Sequence, residues 1–132
     1  MRRRDFLKTG AAALAVTPLP AFGDAVRRYR IEAEPASVRL GEEGAAKTDL
    51  WLYNGTSPGP GITALLGETL EVEFTNRLEV PTSIHWHGIR NLNEMDGVPD
   101  LTQAAIEPDE SFTYRFPLKD AGTFWYHAHS KG

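Results

Sequence analysis

Two short segments of this chain carry every histidine that it has. They are residues 85–87 and 127–129, and each has the form His-x-His. In a β-strand, alternate residues project from the same face and lie roughly 6.6 Å apart, at a rise of ~3.3 Å per residue. Each segment therefore presents two imidazoles to one side and its middle residue, Trp86 or Ala128, to the other. The candidate ligands are His85, His87, His127 and His129.

Neutral imidazole binds copper, zinc, nickel and iron, so two such strands lying side by side predict a metal site. The alternative is that four imidazoles fill polar positions of the core by chance. Two other kinds of His-x-His site match less well. A cupin site adds a glutamate after three or four further residues, where Asn91 and Leu92 stand, and a metallo-β-lactamase site adds an aspartate at the position of Ile89.

The segments that must position these histidines alternate like short β-strands. The predicted strands are Tyr29–Glu34, Leu50–Tyr53, Thr69–Asn76 and Ser111–Phe116, with the histidines in Thr82–Gly88 and Thr123–His129. Leu50–Tyr53 is apolar on both faces, as expected of a central strand. In Thr69–Asn76, Leu70, Val72 and Phe74 alternate with polar residues and are expected to face inward. Gly, Pro and Asp turns separate the strands, and no segment beyond residue 25 has sustained helical periodicity. The pattern predicts an all-β sandwich or barrel.

Further motifs accompany the histidine segments. They are Tyr53–Gly55, Pro58–Pro60, Gly67–Thr69, Ser83–Gly88, Met95–Pro99, Thr102-Gln103, Ile106–Pro108 and Gly122–Ser130. In motif order and spacing, about residues 50–130 resemble the first domain of the multicopper oxidases, the laccases and their relatives. The resemblance implies an all-β, Greek-key cupredoxin (plastocyanin-like) β-sandwich. It would be an N-terminal cupredoxin domain over residues 24–132, incomplete at its C-terminal end.

In that family, the two histidine motifs help to hold a cluster of three coppers. The resemblance implies that His85 binds the type 2 copper and that the type 3 pair is bound by His87, His127 and His129. The chain would then supply half of the cluster's histidines, and the missing C-terminal cupredoxin domain or domains of the same protein would supply the others. Asp96 falls where many members carry an acidic residue that feeds protons to the cluster, although Asp-Gly is also an ordinary turn pair. The chain has no cysteine, and blue type 1 copper needs a thiolate, so no type 1 site is expected in it.

The resemblance implies an oxidoreductase as the parent protein. It would oxidise a small reducing substrate, such as a phenol, an amine or a metal ion, and reduce O2 to water, whereas this chain alone is expected to be inactive. The alternative is a non-enzymatic exported copper-binding cupredoxin module. Such a module usually has methionine-rich copper ligands, and beyond residue 23 the chain has a single methionine, Met95.

The first 23 residues have the form of an export signal. A basic segment, Arg3–Lys8, precedes an apolar run, Ala11–Val16, and small residues follow as far as Gly23. The paired arginines followed by x-Phe-Leu-Lys resemble the twin-arginine motif, and the alternative is an ordinary Sec signal. We therefore expect a periplasmic or otherwise exported domain that begins at residue 24.

The part of the chain beyond this leader is acidic. The whole chain has fourteen Lys and Arg and eighteen Asp and Glu. Four of these basic residues and one of the acidic residues lie in the leader. Ten basic and seventeen acidic residues remain, a formal charge of −7. Without a basic stripe, a nucleic-acid partner is disfavoured. No stretch approaches the ~20 apolar residues of a transmembrane helix, so no membrane association is expected after export.

The leader generates a test of the export route. A reporter protein fused after Gly23 should reach the periplasm, and replacing both Arg3 and Arg4 with lysine should abolish its export, because the twin-arginine motif requires the arginine pair. Cell fractionation measures the result. Unchanged export of the lysine variant would leave the Sec signal as the explanation.

Overall fold

The structure, a computed structural model, describes residues 25–129. The predicted leader, residues 1–23, lies outside the described residues, as do residues 24 and 130–132. The described chain is almost entirely β-structure. Its elements are β1 (Val26–Arg39), β2 (Lys47–Tyr53), β3 (Thr69–Asn76), β4 (Ile84–His87), a 3-10 helix (Asn93–Met95), β5 (Ser111–Pro117) and β6 (Trp125–Ala128). Within residues 25–129, no helix is long and apolar enough to cross a membrane.

The long strand β1 pairs with two neighbours. Residues 26–33 run parallel to β3, and residues 33–39 run antiparallel to β2. Because β5 pairs with the other side of β3, the four-stranded sheet has the order β2-β1-β3-β5. β4 and β6 form a separate antiparallel pair. The two sheets pack face to face, so the predicted all-β sandwich is confirmed.

The expectation that Leu50–Tyr53 is a central strand is wrong. These residues belong to β2, which lies at the edge of the four-stranded sheet, and the Trp51 side chain is 62% exposed. The pairing of β1 with β3 stops at residue 33, so the rest of β1 extends beyond the sheet with β2 as its partner. No strand covers that extension among the described residues. An apolar run therefore did not distinguish a covered strand from an exposed edge.

The core lies between the two sheets. On β3, the residues predicted to face inward are all buried: Leu70, Val72 and Phe74. From the second sheet, the buried ring of Trp86 packs against Tyr114 and Phe116 of β5, with ring centroids 5.4 and 5.5 Å apart. Trp86 is the middle residue of the first histidine segment. Because Trp86 is buried, the opposite face of β4, which carries the histidines, points away from the core.

The irregular segment between β4 and β5 folds back onto β4. The buried hydroxyl of Ser83, just before β4, donates a 2.6 Å hydrogen bond to the carbonyl oxygen of Gly97. Gly97 has a φ of +80°, and a Cβ at this position would overlap the carbonyl oxygen of Ile84. Both the backbone angle and the close approach thus require glycine here.

This close contact predicts a large difference between two glycine substitutions. Gly97→Ala should lower the free energy of unfolding by about 3 kcal/mol or more, because the added methyl group meets backbone that cannot move alone. Gly61→Ala is the control, since a Cβ at Gly61 would meet no atom within 4 Å, and it should change stability by less than about 0.5 kcal/mol. Urea denaturation followed by tryptophan fluorescence measures both. Equal midpoints for the two variants would contradict the packing described here.

Candidate metal centre

The pairing of β4 with β6 brings the two histidine segments together. His85 lies directly opposite His127, and His87 lies opposite Trp125. Strand alternation places these side chains on one face of the pair and Trp86 on the other, where it is buried. The predicted convergence of two neighbouring strands is therefore present in the fold.

The ring of His85 lies at the centre of the cluster. Its centroid is 5.3 Å from that of His127, 5.7 Å from that of His87 and 6.2 Å from that of His129. One possible ligand atom from each of His85, His87 and His127 lies within 4.8 Å of the others. His129 stands outside this close group, with its ring 6.3 Å from that of His127. The structure thus brings all four predicted ligands together around His85.

A hydrogen bond orients the His85 ring. Its Nδ1 lies 2.7 Å from the carbonyl oxygen of Asp96. A carbonyl can only accept, so Nδ1 carries the proton and donates, which leaves Nε2 with its lone pair available to a metal. The Asp96 carboxylate lies beside the same nitrogen, with its Oδ2 3.6 Å away. Asp96 therefore contacts the centre through both its backbone and its side chain.

Ser83 supports the opposite side of the cluster. The backbone N–H of His129 donates to the Ser83 carbonyl oxygen at 3.0 Å, and the Ser83 hydroxyl lies 3.1 Å from the carbonyl oxygen of His129. Because the same hydroxyl contacts Gly97, this one buried side chain joins the loop beside His85 to the end of the second histidine segment. Sequence reasoning did not assign this role to Ser83. The only signal was its position at the start of the first histidine motif.

Trp125 is the second contributor that sequence reasoning missed. Its indole stacks on the His87 ring, with centroids 4.6 Å apart and planes 27° apart, and on the His127 ring, at 4.4 Å and 29°. The spacing in the sequence could have indicated this contact, because a residue two positions before His127 lies on the same face of the strand as His127.

Two tyrosines anchor the histidine strands from the core side. The backbone N–H of Ile84 donates to the Tyr114 hydroxyl at 3.0 Å, and the Tyr126 hydroxyl donates to the carbonyl oxygen of Pro60 at 2.7 Å. Burial raises the pKa of Tyr114 to about 12 and also raises the pKa of Tyr126. Both hydroxyls are therefore neutral near pH 7, and they serve as fixed hydrogen-bonding groups rather than as acids.

The donor set matches copper chemistry. The cluster offers imidazole nitrogens only, and imidazole suits copper as well as zinc, iron and nickel. His85 is fixed with one nitrogen protonated, as metal-binding histidines usually are. The chain has no cysteine, so no thiolate-bound blue copper can form within it.

Comparison with known proteins shows the family to which the chain is similar. Residues 36–132 match the family described as multicopper oxidase. Copper resistance protein A of Escherichia coli is 48% identical over 90 residues, which cover 68% of this chain and 14% of that protein. Laccase-2 of Botryotinia fuckeliana is 52% identical over 106 residues, which cover 78% of this chain and 18% of that protein.

Solved structures agree with the sequence comparison. The crystal structure of a multicopper oxidase from Pseudomonas thermotolerans superposes with a TM-score of 0.76 at 42% identity, over 81% of this chain and 26% of that one. This chain thus spans roughly a seventh to a quarter of the length of these relatives. The family match over residues 36–132 includes both histidine segments and the loop that orients His85. On these grounds, the chain belongs to the multicopper oxidase family.

Proposed function

We propose that residues 24–132 are the N-terminal cupredoxin domain of a longer, exported multicopper oxidase. The parent would oxidise a small reducing substrate, such as a phenol, an amine or a metal ion, and reduce O2 to water. One observation carries this proposal, namely that all four histidines converge on one face of a two-stranded sheet around His85. Copper bound there would supply the one-electron chemistry that links the substrate to O2.

The four histidines would be half of the ligands of a type 2 and type 3 copper cluster. We assign His85 to the type 2 copper and His87, His127 and His129 to the type 3 pair. The open, partly exposed face of the cluster supports the assignment of half of the ligands to this chain, because further ligands from another domain could approach it. The small share of the relatives' length that this chain covers is consistent with such domains elsewhere in the protein.

Asp96 would supply protons during O2 reduction. Its side chain is 32% exposed and its carboxylate lies 3.6 Å from Nδ1 of His85. A carboxylate in this position contacts both solvent and the edge of the cluster, so it can accept a proton from water and release it at the site. Its backbone carbonyl orients His85 separately, and the two roles can therefore be tested apart.

A second function, a non-enzymatic exported copper-binding module, is favoured by one observation. Ligand atoms of three histidines already lie within 4.8 Å of one another, so one ion could be bound without any other domain. The two proposals differ in whether this chain acts alone.

The first test separates the two roles of Asp96 in the full-length parent. Asp96→Asn should lower the turnover number with O2 by about 10²–10⁴, the usual contribution of a general acid or base. Copper content should stay near that of the wild type, because the carbonyl that orients His85 remains. Asp49→Asn, on the edge strand β2, is the matched control and should leave turnover unchanged. Normal turnover of the Asp96→Asn variant would contradict the role in proton supply and leave Asp96 only its structural role in the turn.

The second test separates the oxidase domain from the binding module. Residues 24–132 purified alone and loaded with copper should show no O2 uptake with a phenolic donor, because electrons have no entry site without type 1 copper. No intense blue absorption should appear, since the chain has no cysteine. Copper binding should be weak, because each copper would lack ligands. Tight binding at a fixed ratio by a soluble monomer would favour the binding module, and catalytic O2 uptake would contradict the half-site assignment.

A further inference from the structure

We propose that Trp125 is a positioning residue, which holds the imidazole rings of His87 and His127 in their ligating orientation by stacking on both. This inference rests on the proposed function, in which both histidines bind copper. It concerns a side chain that cannot itself be a good metal ligand, because the indole nitrogen is a donor only.

The stacking is closer than any other ring contact in the cluster. The Trp125 centroid lies 4.6 Å from that of His87 and 4.4 Å from that of His127. The imidazoles themselves are separated by at least 5.3 Å. The interplanar angles of 27° and 29° describe stacked, moderately tilted rings, and stacking is a favoured arrangement of aromatic pairs.

This double contact follows from the strand register. Trp125 lies directly opposite His87 on the neighbouring strand, and it shares a strand face with His127 because the two are alternate residues of β6. His85 lies opposite His127 instead, and its ring contacts among the described residues are with the other histidines.

Stacking matters most for His87, because other restraints on its ring are lacking. The His85 ring is held by the Asp96 carbonyl, and Nδ1 of His127 lies 3.0 Å from the Ala128 carbonyl oxygen. Residues 25–129 form no hydrogen bond to the exposed His87 ring, whose contacts are with aromatic neighbours. An unrestrained side chain loses rotamer freedom when it binds a metal, and a ring already held by stacking loses less.

Core packing does not account for this tryptophan. Its side chain is 57% exposed, so burial of apolar surface is modest. Trp51 on β2 is similarly exposed, at 62%, and forms no ring contact among the described residues. Trp51 therefore provides a matched control for removing an exposed indole from the same protein.

The test compares tryptophan variants of the full-length protein. Trp125→Leu keeps an apolar side chain but cannot stack, whereas Trp125→Phe keeps an aromatic ring. Copper retained against a competing chelator measures affinity, and ring-proton shifts of the histidines in the metal-free protein, by NMR, report stacking directly. Trp125→Leu should weaken copper binding about tenfold, the lower end of the range for groups that orient ligands. It should also remove the upfield ring-current shifts of His87 and His127.

The controls separate this inference from the function on which it rests. Trp125→Phe should restore most of the affinity and shifts, and Trp51→Leu should change neither. A wild-type protein that binds no copper would overturn the proposed function itself. Wild-type copper binding with equal affinities in the Leu and Phe variants of Trp125, or unshifted His87 and His127 protons in the wild type, would overturn the positioning role alone.

Discussion

The antiparallel pairing of β4 with β6 is the interaction on which the site depends. It sets His85 opposite His127 and, through strand alternation, turns the histidines to one face and Trp86 to the other. A slip of one residue in either strand would exchange these faces and move imidazoles into the core. The burial of Trp86 against Tyr114 and Phe116 opposes such a slip. Removing a buried aromatic of this size typically costs about 3–5 kcal/mol, far more than a single backbone hydrogen bond contributes.

The loop between β4 and β5 converts this pairing into an oriented site. Its backbone carbonyl at Asp96 selects the free nitrogen of His85, and the next residue, Gly97, is packed against β4 so closely that no side chain fits. Ser83 joins the loop to His129. The His85 end of the cluster is therefore oriented by a backbone carbonyl, which has few alternative positions. The other end is oriented by an aromatic side chain, Trp125.

Charge plays a smaller part in positioning the centre. Two ion pairs of the four-stranded sheet, Arg28 with Glu71 and Arg30 with Glu73, lie on its solvent-facing side. Exposed pairs of this kind contribute little to stability. The site instead depends on imidazoles, carbonyls and hydroxyls that hydrogen bonds and ring stacking hold in place.

The sequence by itself determined the strand alternation and predicted that four histidines would share one face, because period-two alternation is a local property. It predicted Thr69–Asn76 and its inward residues correctly for the same reason. Its prediction for Leu50–Tyr53 was wrong, since an apolar run does not say whether a neighbouring strand will cover it. Only the tertiary structure decided that Asp96 orients His85 and that Trp125 stacks on two imidazoles. These contacts depend on which strands pair and in which register. The packing of the whole core determines both the pairing and the register.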